Sequence, residues 1–298
     1  MTGPARTAVL ALLLQCLAMP AQAARADLED PAGSGADADP GATMPETIGD
    51  AADDLPADAD TAARAAAEGR RSGYHYMGEE LRALQDDPFA NPGLLWVDRG
   101  EDLWAQTPPA GASCADCHGE AESLRGVAAA MPRWDANLQR LENLEMQINE
   151  CRTERQDQPP WAWESQSLLA VTALLSKVSQ GLPLSVAIDG PAAAALEAGR
   201  REFERRQGQL DLSCANCHDT LAGARLRGDV ISQGMVNGFP IYRLTWQTLG
   251  SRQRMFQWCN EAVRAQAHAL GSDEYLALEL YMAWRARGLP MESPAVRR

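Results

Sequence analysis

Histidine is scarce in this 298-residue chain, with four in all, and residues 27 to 60 hold eleven acids and no base. Beyond the N-terminal segment no apolar run approaches the ~20 residues that a transmembrane helix requires, and no stretch shows a convincing strand alternation. No membrane span is therefore expected in the mature chain, and no sheet-based fold. The formal net charge is −14, but without the acids of residues 27 to 60 the rest carries only −3. The acidity thus belongs to one stretch and says little about the folded part's partners; nucleic acid is not indicated.

What the chain does have is cysteine in a repeated order. Residues 1–23 read as a secretory signal, with Arg6 as the positive start, an apolar run from Ala8 to Ala18, and Ala21-Gln22-Ala23 as the small-residue cleavage site. The mature protein is expected in the periplasm, beginning near Ala24. Cys16 lies inside this segment behind Gln15, where a lipoprotein would have a small residue. In an exported protein the six remaining cysteines could be three disulfides. Their arrangement speaks against that. Cys114-Ala-Asp-Cys117-His118 and Cys214-Ala-Asn-Cys217-His218 each place two thiols two residues apart with an imidazole directly behind, which is the attachment pattern of haem c. The thiols form thioethers to the two vinyl groups and the imidazole reaches the iron. Two covalently bound haem c groups are expected, with Cys114, Cys117, Cys214 and Cys217 as attachment residues and His118 and His218 as iron ligands.

Residues 24–72 are rich in Ala, Asp, Gly and Pro and cannot bury enough apolar surface to offset the entropy of ordering, so they read as a disordered acidic leader. The folded part is expected from residue 73, where aromatic and aliphatic residues arrive together. It looks like one plan written twice. A short helix around Gly100 to Trp104 precedes the first haem motif, much as one around Gly199 to Phe203 precedes the second. A solitary cysteine, Cys151 or Cys259, follows each motif, and an apolar helix then ends in Gly181-Leu182-Pro183 or Gly288-Leu289-Pro290. The expected fold is all-α, with two tandem cytochrome c-like domains at 73–187 and 188–298.

Leu138, Leu141, Leu144, Ile148 and Cys151 fall three or four apart within Trp134 to Thr153, so one helix would carry them on one face; Met255, Phe256, Cys259 and Val263 do the same around the second haem. Both cysteines then point inward. Such a cysteine is a buried inert thiol, a disulfide partner, or a thiolate ligand opposite the motif histidine, and Met131, Met146, Met235 and Met255 are the alternative sixth ligands. Two similar units each keep a cysteine at a comparable place, and neither offers an equally well placed histidine. That favours thiolate ligation, which holds ferric iron, lowers the potential and points to sulfur chemistry.

The two motifs with their trailing cysteines stand beside Gly238-Phe-Pro-Ile-Tyr-Arg243, Leu249-Gly-Ser251 leading to Cys259-Asn260, Val263-Arg264-Ala265, and Ser272 to Tyr281. In combination, over about residues 74 to 292, they resemble SoxA, the dihaem subunit of the SoxAX cytochrome complex of bacterial thiosulfate oxidation. The resemblance implies L-cysteine S-thiosulfotransferase activity: thiosulfate is joined to a cysteine of a SoxYZ-like carrier, and two electrons leave through haem to a SoxX-like monohaem cytochrome partner. It makes Cys259 both iron ligand and catalytic sulfur, found as a persulfide in the family, and Cys151 the distal ligand of the first haem. A substrate arginine is implied four residues before the catalytic cysteine, where this chain has Met255. Arg252 and Arg254 are the nearest candidates. On a regular helix Arg252 shares the Cys259 face about 10 Å along the axis, Arg254 is rotated away, and Arg243 and Arg264 are further choices. Two rival readings remain, a dihaem thiosulfate dehydrogenase forming tetrathionate and a plain electron-transfer cytochrome. The duplicated motif sets the first test: denatured mature protein should weigh two haems more than its polypeptide, and a gain of one haem or none would end the dihaem reading.

Overall fold

In the first half, a helix at Glu79–Asp86 (α1) leads to the helix Leu94–Ala105 (α2), and the short helix Cys114–His118 (α3) carries the first motif. A hairpin of Arg133–Asp135 (β1) and Arg140–Glu142 (β2) follows, then the cysteine-bearing helix Leu144–Glu154 (α4) and the apolar helix Gln166–Val178 (α5). The second half repeats this order. Ala192–Glu204 (α6) precedes the second motif, and a small hairpin follows it, Arg225–Leu226 (β3) with Asp229–Val230 (β4). The next hairpin, Ile241–Arg243 (β5) with Thr248–Gly250 (β6), leads into Arg252–Ala262 (α7), then Asp273–Arg285 (α8), and Ala295–Arg297 (β7) pairs parallel with β5. The computed structural model describes residues 65–109 and 111–298, which belong to one compact unit. The secretory segment and most of the acidic leader lie outside the described residues.

The two halves are built around matching helix crossings. At Gly100 a Cβ would sit 2.4 Å from the Ala170 carbonyl oxygen of α5, and at Gly199 it would sit 2.0 Å from that of Ala277 in α8. Only a residue without Cβ lets the leading and closing helices approach this closely. Trp104 and Phe203, each four residues beyond its glycine, are buried beside these contacts. Serine caps start the closing helices, Ser165 accepting from the Leu168 N–H and Ser272 from that of Tyr275.

The Gly-Leu-Pro stops do more than end helices. They meet each other: Leu184 N–H donates to Leu289 O at 3.0 Å, Gly181 N–H to Met291 O at 3.0 Å, and Pro183 bridges Pro290. The expected division near residue 187 falls in the link between α5 and α6, but the halves share their packing. Arg252 Nη1 donates to Met131 O at 3.0 Å, and Asn143 Nδ2 donates to Glu279 Oε1 at 3.1 Å.

Three features differ from the sequence-based expectations. The fold is helix-rich, not all-α, because strands of two or three residues are too short to show alternation. The helix expected from Trp134 begins only at Leu144, where Asn143 caps it by accepting from the Met146 N–H. Before it, Asp135 Oδ1 accepts from the Asn137 and Leu138 N–H groups and Gln139 takes a positive φ of 52°, which turns the chain into a hairpin and leaves Leu138 exposed. Finally, residues 65–72, counted with the leader, belong to the fold. Ala65 is fully buried, Ser72 Oγ donates to Glu292 at 2.6 Å, and Arg71 N–H donates to Gln233 Oε1 at 2.7 Å.

The crossings give a stability test. Gly199→Ala would push a methyl into a backbone carbonyl that has no cheap way to move. It should cost about 2–3 kcal/mol and lower the melting temperature by ~5 °C or more; an unchanged melting temperature would show that the helices do not meet at this glycine.

Candidate functional site

Both motifs are held by the same local clamp. Ser113 Oγ accepts from the Asp116 N–H at 3.0 Å while Asp116 Oδ2 accepts from the Ser113 N–H at 2.8 Å, which closes a capping box around Cys114. In the second motif asparagine takes the acid's place: Asn216 Oδ1 accepts from the Ser213 N–H at 2.9 Å, and Ser213 Oγ accepts from the Asn216 N–H at 3.2 Å. Each clamp fixes one turn that presents both motif thiols. Trp104 Nε1–H donates to Gly119 O at 2.8 Å, and its ring centre lies 5.8 Å from that of His118.

The sulfurs gather in two sets of three. Cys114 and Cys117 lie close enough to Cys151 for their charges to interact, and Cys214 and Cys217 lie likewise beside Cys259. Among the described residues none of the six is in a disulfide, and Cys151 and Cys259, the pair left open to one, sit in different sets. Burial pushes Cys114 and Cys151 up, Cys214 up to about 12 and Cys259 up to about 11. At Cys259 the Arg243 guanidinium opposes burial and Cys217 adds to it.

His218 is held in one orientation. Its Nδ1–H donates to Ser232 O at 2.8 Å, which leaves Nε2 as the free ring nitrogen. Burial lowers the ring's pKa, the Ser232 bond partly offsets this, and the neutral imidazole is favoured. The Ser232 loop approaches through Gly234, at φ +70°, where a Cβ would meet the His218 ring carbon at 2.9 Å. Two thiols on one turn with an imidazole directly behind them are what covalent haem c attachment needs, and both halves present them; in the second half the imidazole is also oriented by its Ser232 hydrogen bond.

The candidate arginines separate by what they touch. Arg252, at the start of α7, is only 9 % exposed, donates to Met131 O, and faces the buried carboxylates of Glu145 and Glu279. Arg254 donates to Leu249 O at 3.2 Å, stands 3.9 Å from Glu164 and stacks over Trp246 at 4.3 Å. Neither is brought to the Cys259 sulfur; α7 turns one into the interior and the other along the hairpin. Arg264 is exposed and reaches Gln209. Arg243 is the candidate whose charge acts on Cys259. Its guanidinium lies 4.5 Å from the ring centre of Trp258 and 5.1 Å from that of Trp246, its Nε donates to Arg298 O at 2.8 Å, and its Nη1 faces Met255 Sδ at 3.6 Å.

Trp258, Arg243, Trp246 and Arg254 therefore form an alternating stack beside Cys259. Each stacked pair contributes about 0.5–2 kcal/mol, more as it loses solvent. Gly250 makes room for it, since a Cβ there would lie 2.3 Å from the Trp246 ring. The two tryptophans were not singled out from the sequence. Their signal is faint: Trp246 follows Arg243 by three residues across a tight turn, and Trp258 follows Arg254 by four along a helix.

Comparison with known proteins agrees with this geometry. The family described as SoxA/TsdA, cytochrome c domain, matches residues 99–184. The L-cysteine S-thiosulfotransferase subunit SoxA of Paracoccus pantotrophus is 42% identical over 227 residues, which cover 76% of this chain and 78% of that one. The subunit of the same name from Rhodovulum sulfidophilum is 40% identical over 229 residues, covering 76% of this chain and 80% of that one. Among solved structures, SoxXA from P. pantotrophus superposes with a TM-score of 0.73 at 41% identity, covering 76% of this chain and 86% of the matched chain.

Proposed function

Because the chain belongs to the SoxA family of L-cysteine S-thiosulfotransferase subunits, we propose that it joins thiosulfate to a cysteine of a SoxYZ-like carrier at Cys259. The reaction forms one S–S bond between the carrier sulfur and the terminal sulfur of thiosulfate; the carrier thiol loses its proton and two electrons leave. The chain is a c-type cytochrome of thiosulfate oxidation. Cys114, Cys117, His118 and Cys151 would hold one haem c, and Cys214, Cys217, His218 and Cys259 the other, in cytochrome c-like halves that divide near residue 187. Bound haem supplies the electron-accepting centre. The partner that takes the electrons onward is a SoxX-like monohaem cytochrome, and the site of action is the periplasm, reached by the cleaved segment of residues 1–23.

The observation that carries the assignment is the Arg243 guanidinium, held between two indole rings beside the Cys259 sulfur. A dianionic substrate with a sulfonate end needs a fixed cation at the sulfur that reacts, and guanidinium offers paired donors to such oxygens. Sandwiching removes the side-chain freedom that binding would otherwise cost. Arg243 is almost fully buried while Trp258 is 43 % exposed, so substrate reaches the guanidinium at its open edge past Trp258. Beside Cys151, by contrast, the neighbouring acid Glu150 adds negative charge. An acid there opposes a dianion, which makes the first centre an electron carrier.

Three variants test the reading together. Cys259→Ser should abolish carrier-dependent thiosulfate oxidation while both haems stay attached, and Cys151→Ser should alter one haem's spectrum and leave substantial turnover. Arg243→Met should raise KM for thiosulfate by about 10- to 100-fold, the worth of a charge-assisted hydrogen bond. Wild-type turnover in Cys259→Ser, or tetrathionate as the product with carrier present, would overturn the proposal.

A further inference from the structure

Between the two halves lies a small, partly open cavity that the reaction at Cys259 does not use. Its volume is about 20 Å³, and its lining includes Glu145 of α4, Glu279 of α8, Arg252 of α7, and Thr172 and Ser176 of α5. That is room for one water molecule with several polar partners. Glu145 is 8 % exposed, and among the described residues no side chain is recorded donating a hydrogen bond to its carboxylate. Glu279, 2 % exposed, accepts from Asn143 Nδ2 and has Gln253 as a further hydrogen-bond partner. Arg252 donates to a backbone carbonyl and adds its charge to both acids without a direct ion pair.

Counting buried charge narrows what the site can hold. Glu164, the remaining acid that faces this pair, is balanced by Arg254 at 3.9 Å. Glu145 and Glu279 then share one guanidinium, Arg252, and an uncompensated buried carboxylate is costly. One added proton makes the set neutral. Burial first, and the Glu279 charge second, push Glu145 from its ordinary 4.5 up to about 8, and burial raises Glu279 as well.

The position of this set matters as much as its charge. Glu145 is the second residue of α4 and Arg252 the first of α7, the two helices that carry Cys151 and Cys259. At 1.5 Å per residue the set stands about 10 Å from each sulfur. We infer that the cavity is a proton-binding site, in which one water bridges Glu145 and Glu279 and the group exchanges a single proton with solvent according to the charge at the two sulfur-ligated centres. An electron added at either centre makes its surroundings more negative and draws a proton from bulk water onto the pair; oxidation returns that proton to solvent. The electronic half of this inference rests on the haem assignment proposed above, and the proton half does not.

Two readouts on the mature holoprotein separate them. Folded protein keeps a proton on Glu145 that the unfolded chain loses above pH 4.5, so the site's stabilisation is complete below 4.5 and is lost as pH rises to about 8. Across that window the folding constant should fall by up to about tenfold per pH unit, and in Glu145→Gln, which keeps the shape and accepts no proton, that share of the slope should vanish. Optical redox titration should show the midpoint potentials falling with pH in the same window, with the dependence weakened in Glu145→Gln and in Glu279→Gln. If Glu279→Gln does not fold, Glu145→Gln decides the matter alone. The same stability slope in wild type and Glu145→Gln overturns the proton site; a lost stability slope with potentials that never depended on pH overturns the coupling. Absence of a haem c spectrum would instead remove the haem assignment and leave the proton site standing.

Discussion

The closest constraint in the fold is the contact between a helix backbone and a glycine on its neighbour, made once in each half. At Gly100 against Ala170 and at Gly199 against Ala277 there is no space for even a methyl group. These crossings set the distance between leading and closing helices, and every functional residue is placed relative to that pair. The motif turn follows each leading helix within about a dozen residues, and the hairpin and cysteine-bearing helix fill the loop before each closing helix. A wider crossing would shift each motif turn relative to the helix that carries the trailing cysteine.

Packing the halves together brings charge inside, and that decides which arginine remains for chemistry. Buried carboxylates need compensation that surface pairs do not. Arg252 is drawn into the interior by Glu145 and Glu279, and Arg254 is committed to Glu164 and the Leu249 carbonyl. Arg243 has no Asp or Glu side chain within ion-pair distance among the described residues. It is held instead by indole faces, the main-chain oxygen of Arg298 and a thioether, partners that fix its position, while Cys259 and, after it, Asp229 are the negative groups that act on its charge. A guanidinium so held about 4 Å from an anion is worth roughly 4 kcal/mol at an effective dielectric near 20, before desolvation is subtracted.

Much of this was legible in the chain. Cysteine spacing marked both sets of sulfurs that the fold gathers, the Gly-Leu-Pro repeats marked where the closing helices end, and glycine followed four residues later by an aromatic marked the leading helices. What stayed hidden depended on partners distant in sequence. Leu138 fits a helical stripe by spacing, but the Asp135 turn competes locally and wins. Ala65 to Ser72 have a leader's composition, and their order comes from Gln233 and Glu292, more than 160 residues away. Arg252 looked like a substrate arginine on a helical wheel, because a wheel shows the face of a residue and not the carboxylates that another half brings to it.

The central claim is that a sulfur on each facing helix completes an imidazole–thiolate pair, and that the second pair is where thiosulfate meets its arginine. Electron paramagnetic resonance of the ferric protein tests this most directly. The expected result is two low-spin signals of imidazole–thiolate type, of which Cys259→Ser removes one and Cys151→Ser the other, with only the Cys259 signal shifting when thiosulfate is added to wild type. Spectra of imidazole–thioether type at both centres, unchanged in either variant, would contradict it.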